Sequence, residues 1–208
     1  MAESIARDSS EVGAGEAERP LFAWLTWEAA LYGLIFLVSL ALRLGLLEAR
    51  IMDVLEAEQA GQAWSLVSGG TPVGRWSPLL LSGQALLFAL CGASDGLARL
   101  LPALAGSLVV LLPFYLRTWI GRVGALVAAL ALAVSPTLVY SARYGDGTSL
   151  LLLTAFGALA LWLAWREKRQ TGYLYAVSVL AALALLADLR VVGLGIVGVV
   201  AWAIERFI

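Results

Sequence analysis

The chain has 208 residues, 61% of them hydrophobic and 14% charged, against roughly 45–50% and 25% in an average soluble domain. Fourteen basic and fifteen acidic residues leave a net charge of −1, so no overall field points to an anionic partner such as nucleic acid. There is no histidine, and Cys91 is the single cysteine. An imidazole base, an internal disulfide and the commonest zinc ligand are thereby excluded, which leaves carboxylates and arginines as the candidate chemistry.

Residues 1–27 read as a disordered acidic tail, with Glu3, Asp8, Glu11, Glu16 and Glu18 set against Arg7 and Arg19. No basic segment leads directly from it into an apolar core, so it does not read as a signal peptide. Residues 28–208 form one transmembrane module. Its first apolar run, 29–47, carries Arg43 near its far end. A polar stretch, 48–75, follows, and then come the runs 78–93, 100–116, 123–140, 149–165, 173–187 and 191–204. Several are about 17 residues long, close to the roughly 20 that cross a hydrocarbon core. The expected fold class is therefore all-α, a polytopic bundle of transmembrane helices.

The number of crossings turns on 78–93. At about 16 residues, with Gly83 and Gln84 inside it, this run suits an interfacial helix better than a span. Six spans then remain, the N-terminus is cytoplasmic, and residues 48–98 form a long external loop. Arg117 and Arg122 lie two spans before Arg166, Lys168 and Arg169, so both basic clusters can be cytoplasmic together. The six-span reading brings 48–75 and the turn around Arg143 and Asp146 onto one non-cytoplasmic surface. Seven spans would separate them by a bilayer.

In the first loop, Asp53 and Glu56 fall at i, i+3 on a helix face, and two carboxylates so placed suit a base or a metal ligand. An interfacial helix whose acids simply face water explains them as well. In the second loop, Arg143 and Asp146 flank Tyr144 and Gly145. A compact turn there presents a guanidinium and a carboxylate together; alternatively, Asp146 or Thr148 caps the next helix and Arg143 snorkels. Arg43 is either a functional buried charge or a snorkelling one. Arg99 and Asp95 precede a span whose first turn would accommodate Pro102.

An ordered set of features resembles the N-terminal half of GT-C integral-membrane glycosyltransferases. It comprises Ala41-Leu-Arg43-Leu, Arg50-Ile-Met-(x)3-Glu56-Ala-Glu58, Pro78-Leu-Leu-Leu, the stretch from Gly92 through Asp95, Arg99 and Pro102 to Gly106, and Ser135-Pro136 followed by Tyr140-Ser-Ala-Arg143-(x)2-Asp146. Protein O-mannosyltransferases, aminoarabinose transferases and the bacterial and archaeal flippase activity-associated proteins are the nearest groups. The resemblance implies two juxtamembrane helices in the first external loop and transfer of a sugar from a polyprenyl-phosphate donor at the non-cytoplasmic face of a prokaryotic plasma membrane. It implies Asp53 or Glu56 as base or ligand of a divalent metal ion, Asp146 as the second acid, and Arg143 or Arg99 as the phosphate contact.

One departure is conspicuous. Family members carry a His-His-Asp-Glu-like run where this chain reads Asp53-Val54-Leu55-Glu56. Aligned through Glu56-Ala57-Glu58, the expected Asp falls on Leu55, which cannot take a proton. Length also falls short of the family's usual complement of helices, so the chain reads either as a fragment of a longer transferase or as a trimmed relative that no longer catalyses. A second expectation follows: a truncated, non-catalytic GT-C-like subunit that packs against other membrane proteins through small residues at 123–134 and 193–198. A transporter or channel fits less well, because no span carries a charge near its middle.

Overall fold

The computed structural model describes residues 27–45, 47–73, 77–193 and 195, which contain nine helices and no strand. In chain order these are α1 (Trp27–Leu44), α2 (Val54–Val67), α3 (Pro78–Cys91), α4 (Asp95–Val109), α5 (Leu112–Ile120), α6 (Arg122–Val134), α7 (Pro136–Arg143), α8 (Thr148–Lys168) and α9 (Thr171–Ala187). Three stretches are long and apolar enough to cross a membrane: α1, the continuous α4–α5 stretch and α8. The bent pair α6–α7 makes a fourth. These are the expected runs 29–47, 100–116, 149–165 and 123–140. The fifth, 173–187, is α9, a shorter apolar helix of 17 residues. The acidic tail up to residue 26 and all of 191–204 beyond 191–193 and 195 lie outside the described residues.

Helices α2 and α3 are short and pack on one end of the bundle, with Ala63, Leu81, Ala85, Phe88 and Ala98 buried between them and α4. At the opposite end, Glu28 near the start of α1 pairs with Arg117 of α5 at 3.5 Å. Between the ends, Ala125, Ala129 and Ala133 repeat every four residues along α6 and are fully buried against Tyr32 of α1 and Val110. Small residues at that spacing let helices approach closely where lipid supplies no hydrophobic drive. Gly106 does the same between α4 and α7, where an added Cβ would lie 2.5 Å from the Ala142 Cβ.

Two prolines each deny a carbonyl its helical N–H, and a buried polar side chain answers each loss. The run 123–140, expected as one span, bends by 53° at Ser135. Ser135 is extended (φ −57°, ψ 118°) because the residue before a proline is pushed out of the helical region. Pro136 has no N–H to give the Leu132 carbonyl. Arg43 supplies the missing donors: Nη2 reaches Leu132 O at 2.9 Å and Nη1 reaches Ala133 O at 3.2 Å and the Ser39 hydroxyl. Of the two expectations for Arg43, snorkelling therefore does not hold; the side chain is buried. The expectation for Pro102 also changes. Helix α4 starts at Asp95 behind the Ser94 cap, so Pro102 lies in its interior and not in its first turn. The Ala98 carbonyl that it orphans accepts from Gln84 Nε2 at 2.7 Å.

Replacing Arg43 by Met leaves the carbonyls of Leu132 and Ala133 buried without donors, and should cost about 2–4 kcal/mol. Adding Pro136→Ala returns an N–H to the break and should recover part of that loss. Denaturant titrations of the single and double variants in mild detergent measure both; an Arg43→Met protein as stable as wild type would contradict this account.

Candidate functional site

The segment after α1 runs over the end of the bundle and enters α2 through Asp53, its N-cap (φ −73°, ψ 162°). A cap residue stands outside the helix, so Asp53 and Glu56 do not share a face as expected. Asp53 is exposed, while Glu56, in the first turn, is buried. The Asp53 N–H donates to Glu56 Oε2 at 3.1 Å, one half of a capping box.

Glu56 then binds three further segments. Oε2 accepts from Arg99 Nη2 of α4 and from Arg50 Nη2, each at 2.8 Å, and Oε1 accepts from the Gly145 N–H at 2.8 Å. Burial by itself would raise this carboxyl. The donors from Arg99, Gly145, Asp53 and Arg50 outweigh burial and bring the pKa from 4.5 down to about 2. Arg99, also buried, places Nη1 on the carbonyls of Leu47 (2.7 Å) and Arg50 (2.8 Å). Both of its terminal nitrogens are thus occupied by the chain itself.

The turn after α7 completes the site. Tyr144 donates its hydroxyl to Asp53 Oδ2 at 2.7 Å. That bond, with burial next, pushes the Tyr144 hydroxyl up to about 12, and it lowers the Asp53 carboxyl below its ordinary value. The Arg50 guanidinium lies 5.5 Å from the Tyr140 ring centre and 5.3 Å from that of Tyr144, within cation–π range. Arg143 Nη2 donates to the Gly45 carbonyl at 2.9 Å, tying the end of α7 to the end of α1. Asp146 accepts from the Thr148 N–H (3.1 Å) and hydroxyl (2.7 Å) just ahead of α8. Burial raises its carboxyl above the ordinary value in spite of those two donors. Beside it, Gly147 has no room for a side chain: an added Cβ would sit 2.8 Å from both the Ala187 carbonyl oxygen and Ser77 Oγ, which are themselves hydrogen-bonded at 2.6 Å.

The two loops expected to share a surface therefore meet at one end of the bundle. Asp53 and Glu56 touch the second loop directly, and Arg99 reaches it through Glu56. Arg143 closes α7 and bonds Gly45 just beyond α1, while Asp146, in the turn that follows, bonds Thr148 of α8. Arg50, Tyr140 and Tyr144 were not singled out from the sequence as site residues; the i, i+4 spacing of the two tyrosines is the signal for them, since it stacks their rings at 5.9 Å. As to a divalent metal, Glu56 has committed both oxygens to N–H donors. Among the described residues no three of His, Cys, Asp and Glu converge as ligands.

An all-helical membrane bundle whose charged loops converge at one end has the build of a GT-C-type membrane glycosyltransferase. The family model described as dolichyl-phosphate-mannose-protein mannosyltransferase matches residues 75–206, more than half of the chain, and the chain belongs to that family. The match takes in Arg99, Arg143 and Asp146, whereas Asp53 and Glu56 precede it. No curated protein and no solved structure shows significant similarity to the chain.

Glu56 gives the site a pH signature. In the folded protein it stays ionised down to about pH 2, whereas in the unfolded chain it takes a proton near 4.5. Its contribution, on the order of 3 kcal/mol, is full above pH 4.5 and lost as the pH falls toward 2. Glu56→Gln removes it. The stability difference between wild type and variant should shrink across that window, and a difference independent of pH would show that Glu56 is not the titrating group.

Proposed function

We propose that this protein transfers a sugar from a polyprenyl-phosphate donor at the non-cytoplasmic face of the membrane. The observation that carries the reading is the 2.7 Å contact between Tyr144 and Asp53, which joins the two acidic loops around an exposed carboxylate. Asp53 is the base toward the acceptor hydroxyl. It is ionised at neutral pH, open to solvent, and held by Tyr144 at a fixed place. Asp146 is the second acid, half-buried in the turn that Tyr144 ties to Asp53. Glu56 positions both loops, and the arginines of this end, Arg99 and Arg143 among them, offset the negative charge that develops on the leaving phosphate.

Orientation follows from charge. The turn between α5 and α6 carries Arg117 and Arg122, and the turn between α8 and α9 carries Arg166, Lys168 and Arg169. Both turns lie at the end away from Asp53, so the rule that basic loops stay cytoplasmic sets the site outside and the start of α1 inside. A second reading, a non-catalytic subunit of a larger membrane complex, draws support from Leu55. This residue stands 65% exposed in the first turn of α2, where the family resemblance places an Asp.

Asp53→Asn and Asp146→Asn should each reduce sugar transfer in isolated membranes by at least a hundredfold, the scale of a general base. Transfer unchanged in both would favour the subunit reading. With the exposed Cys91 replaced by Ala, single cysteines at 53 and 146 should both react with an impermeant maleimide from the non-cytoplasmic side, and one at 168 should not. Labelling of 53 and 146 from opposite sides would reject the shared outer site.

A further inference from the structure

Three arginines converge on the loop junction, and the structure employs them differently. Arg99 is buried with both terminal nitrogens on carbonyls and Glu56. Arg143 braces the end of α1 through the Gly45 carbonyl. Arg50 is the most exposed of the three, ahead of the partly buried Arg143: its side chain is 41% exposed, with Nη2 on Glu56 at 2.8 Å. Tyr140 and Tyr144 lie against its guanidinium. A guanidinium carries five N–H donors along its edge, and the contacts of Arg50 with Glu56 and Tyr140 do not use them all, which leaves donors for an acceptor in the same plane. Glu56 is shared between Arg50 and Arg99, so one carboxylate cannot neutralise both cations.

We propose that Arg50 is the residue that grips the phosphate of the lipid-linked donor, with Tyr140 and Tyr144 holding its plane in register. This rests on the donor class assigned above. Phosphate oxygens match the planar fork of a guanidinium edge in two parallel hydrogen bonds. An arginine already ordered by Glu56 and two rings loses little freedom on binding. Tyr144 touches both Arg50 and Asp53, so the phosphate contact lies over the ring whose hydroxyl holds the base. Tyr140, 60% exposed at the end of α7, is the open edge of this platform.

The test uses the full chain in lipid nanodiscs and two probes of equal chain length, a polyprenyl phosphate and the uncharged polyprenol, with binding read by native mass spectrometry. Wild type should prefer the phosphate. Arg50→Gln should weaken polyprenyl-phosphate binding by about ten- to a hundredfold and leave polyprenol binding as it was. Arg50→Lys, which keeps the charge and loses the planar fork, should fall between them. Tight phosphate binding retained by Arg50→Gln overturns the assignment of Arg50. So does an equal loss toward both probes, which makes Arg50 a residue of the fold alone. Absence of any preference for the phosphate in wild type would overturn the donor class itself, and the Arg50 assignment with it.

Discussion

Backbone carbonyls without a helical partner set the terms of this structure. Inside a bilayer no water is at hand to satisfy them, yet the chain forgoes a helical hydrogen bond at Pro102 within α4, breaks between α6 and α7 at Pro136, and crosses the end of the bundle without helix between α1 and α2. Each exposed carbonyl is met by a side chain from another element. Gln84 serves Ala98, Arg43 serves Leu132 and Ala133, Ser77 serves Ala187, and Arg99 serves Leu47 and Arg50. These bonds join residues 14 to 110 positions apart in sequence. They therefore do the tertiary work that hydrophobic burial does in a soluble domain. The bend they sustain at Ser135 carries α7, and with it Tyr140, Arg143 and the turn that reaches Asp53.

Two carboxylates three residues apart receive opposite tasks from that arrangement. Glu56 faces inward, collects four N–H donors and gives up any prospect of exchanging a proton near neutral pH. Asp53 caps the helix, faces out and keeps one oxygen on a tyrosine. Environment and not residue type separates a buried anchor from an exposed acid. The departure at position 55 is less severe in this light, because the exposed acid of the loop stands two residues earlier and is tied to the second loop.

Much of this was legible in the sequence, and the parts that were not have physical reasons. Apolar runs broken by charge revealed the membrane helices, and the short run containing Gly83 and Gln84 folds as the 14-residue helix α3. The pairing of the two loops followed from counting crossings. The bend at Ser135 was missed although Ser135-Pro136 stands in plain view, because hydropathy continues smoothly across it. The roles of Arg43 and Gln84 depend on carbonyls 89 and 14 residues away, and no local pattern encodes such a partner. Asp53 and Glu56 were placed on one face by helical spacing; Asp-x-x-Glu is also a capping box, and that reading separates them.

The pair between Arg99 and Glu56 is sealed, with side chains 1% and 0% exposed, whereas Arg117 at the far end meets Glu28 at 3.5 Å with 41% of its side chain in the open. Counter-ions reach the second, and at the first rim only the Arg50 arm of Glu56. Ionic strength should then loosen the start of α1 from α5 while the junction around Glu56 holds its shape, since screening acts on charges that water surrounds. The two rims of the bundle are, in this sense, held by different kinds of electrostatics. One rests on a single open pair, and the other keeps a sealed pair beneath its open one.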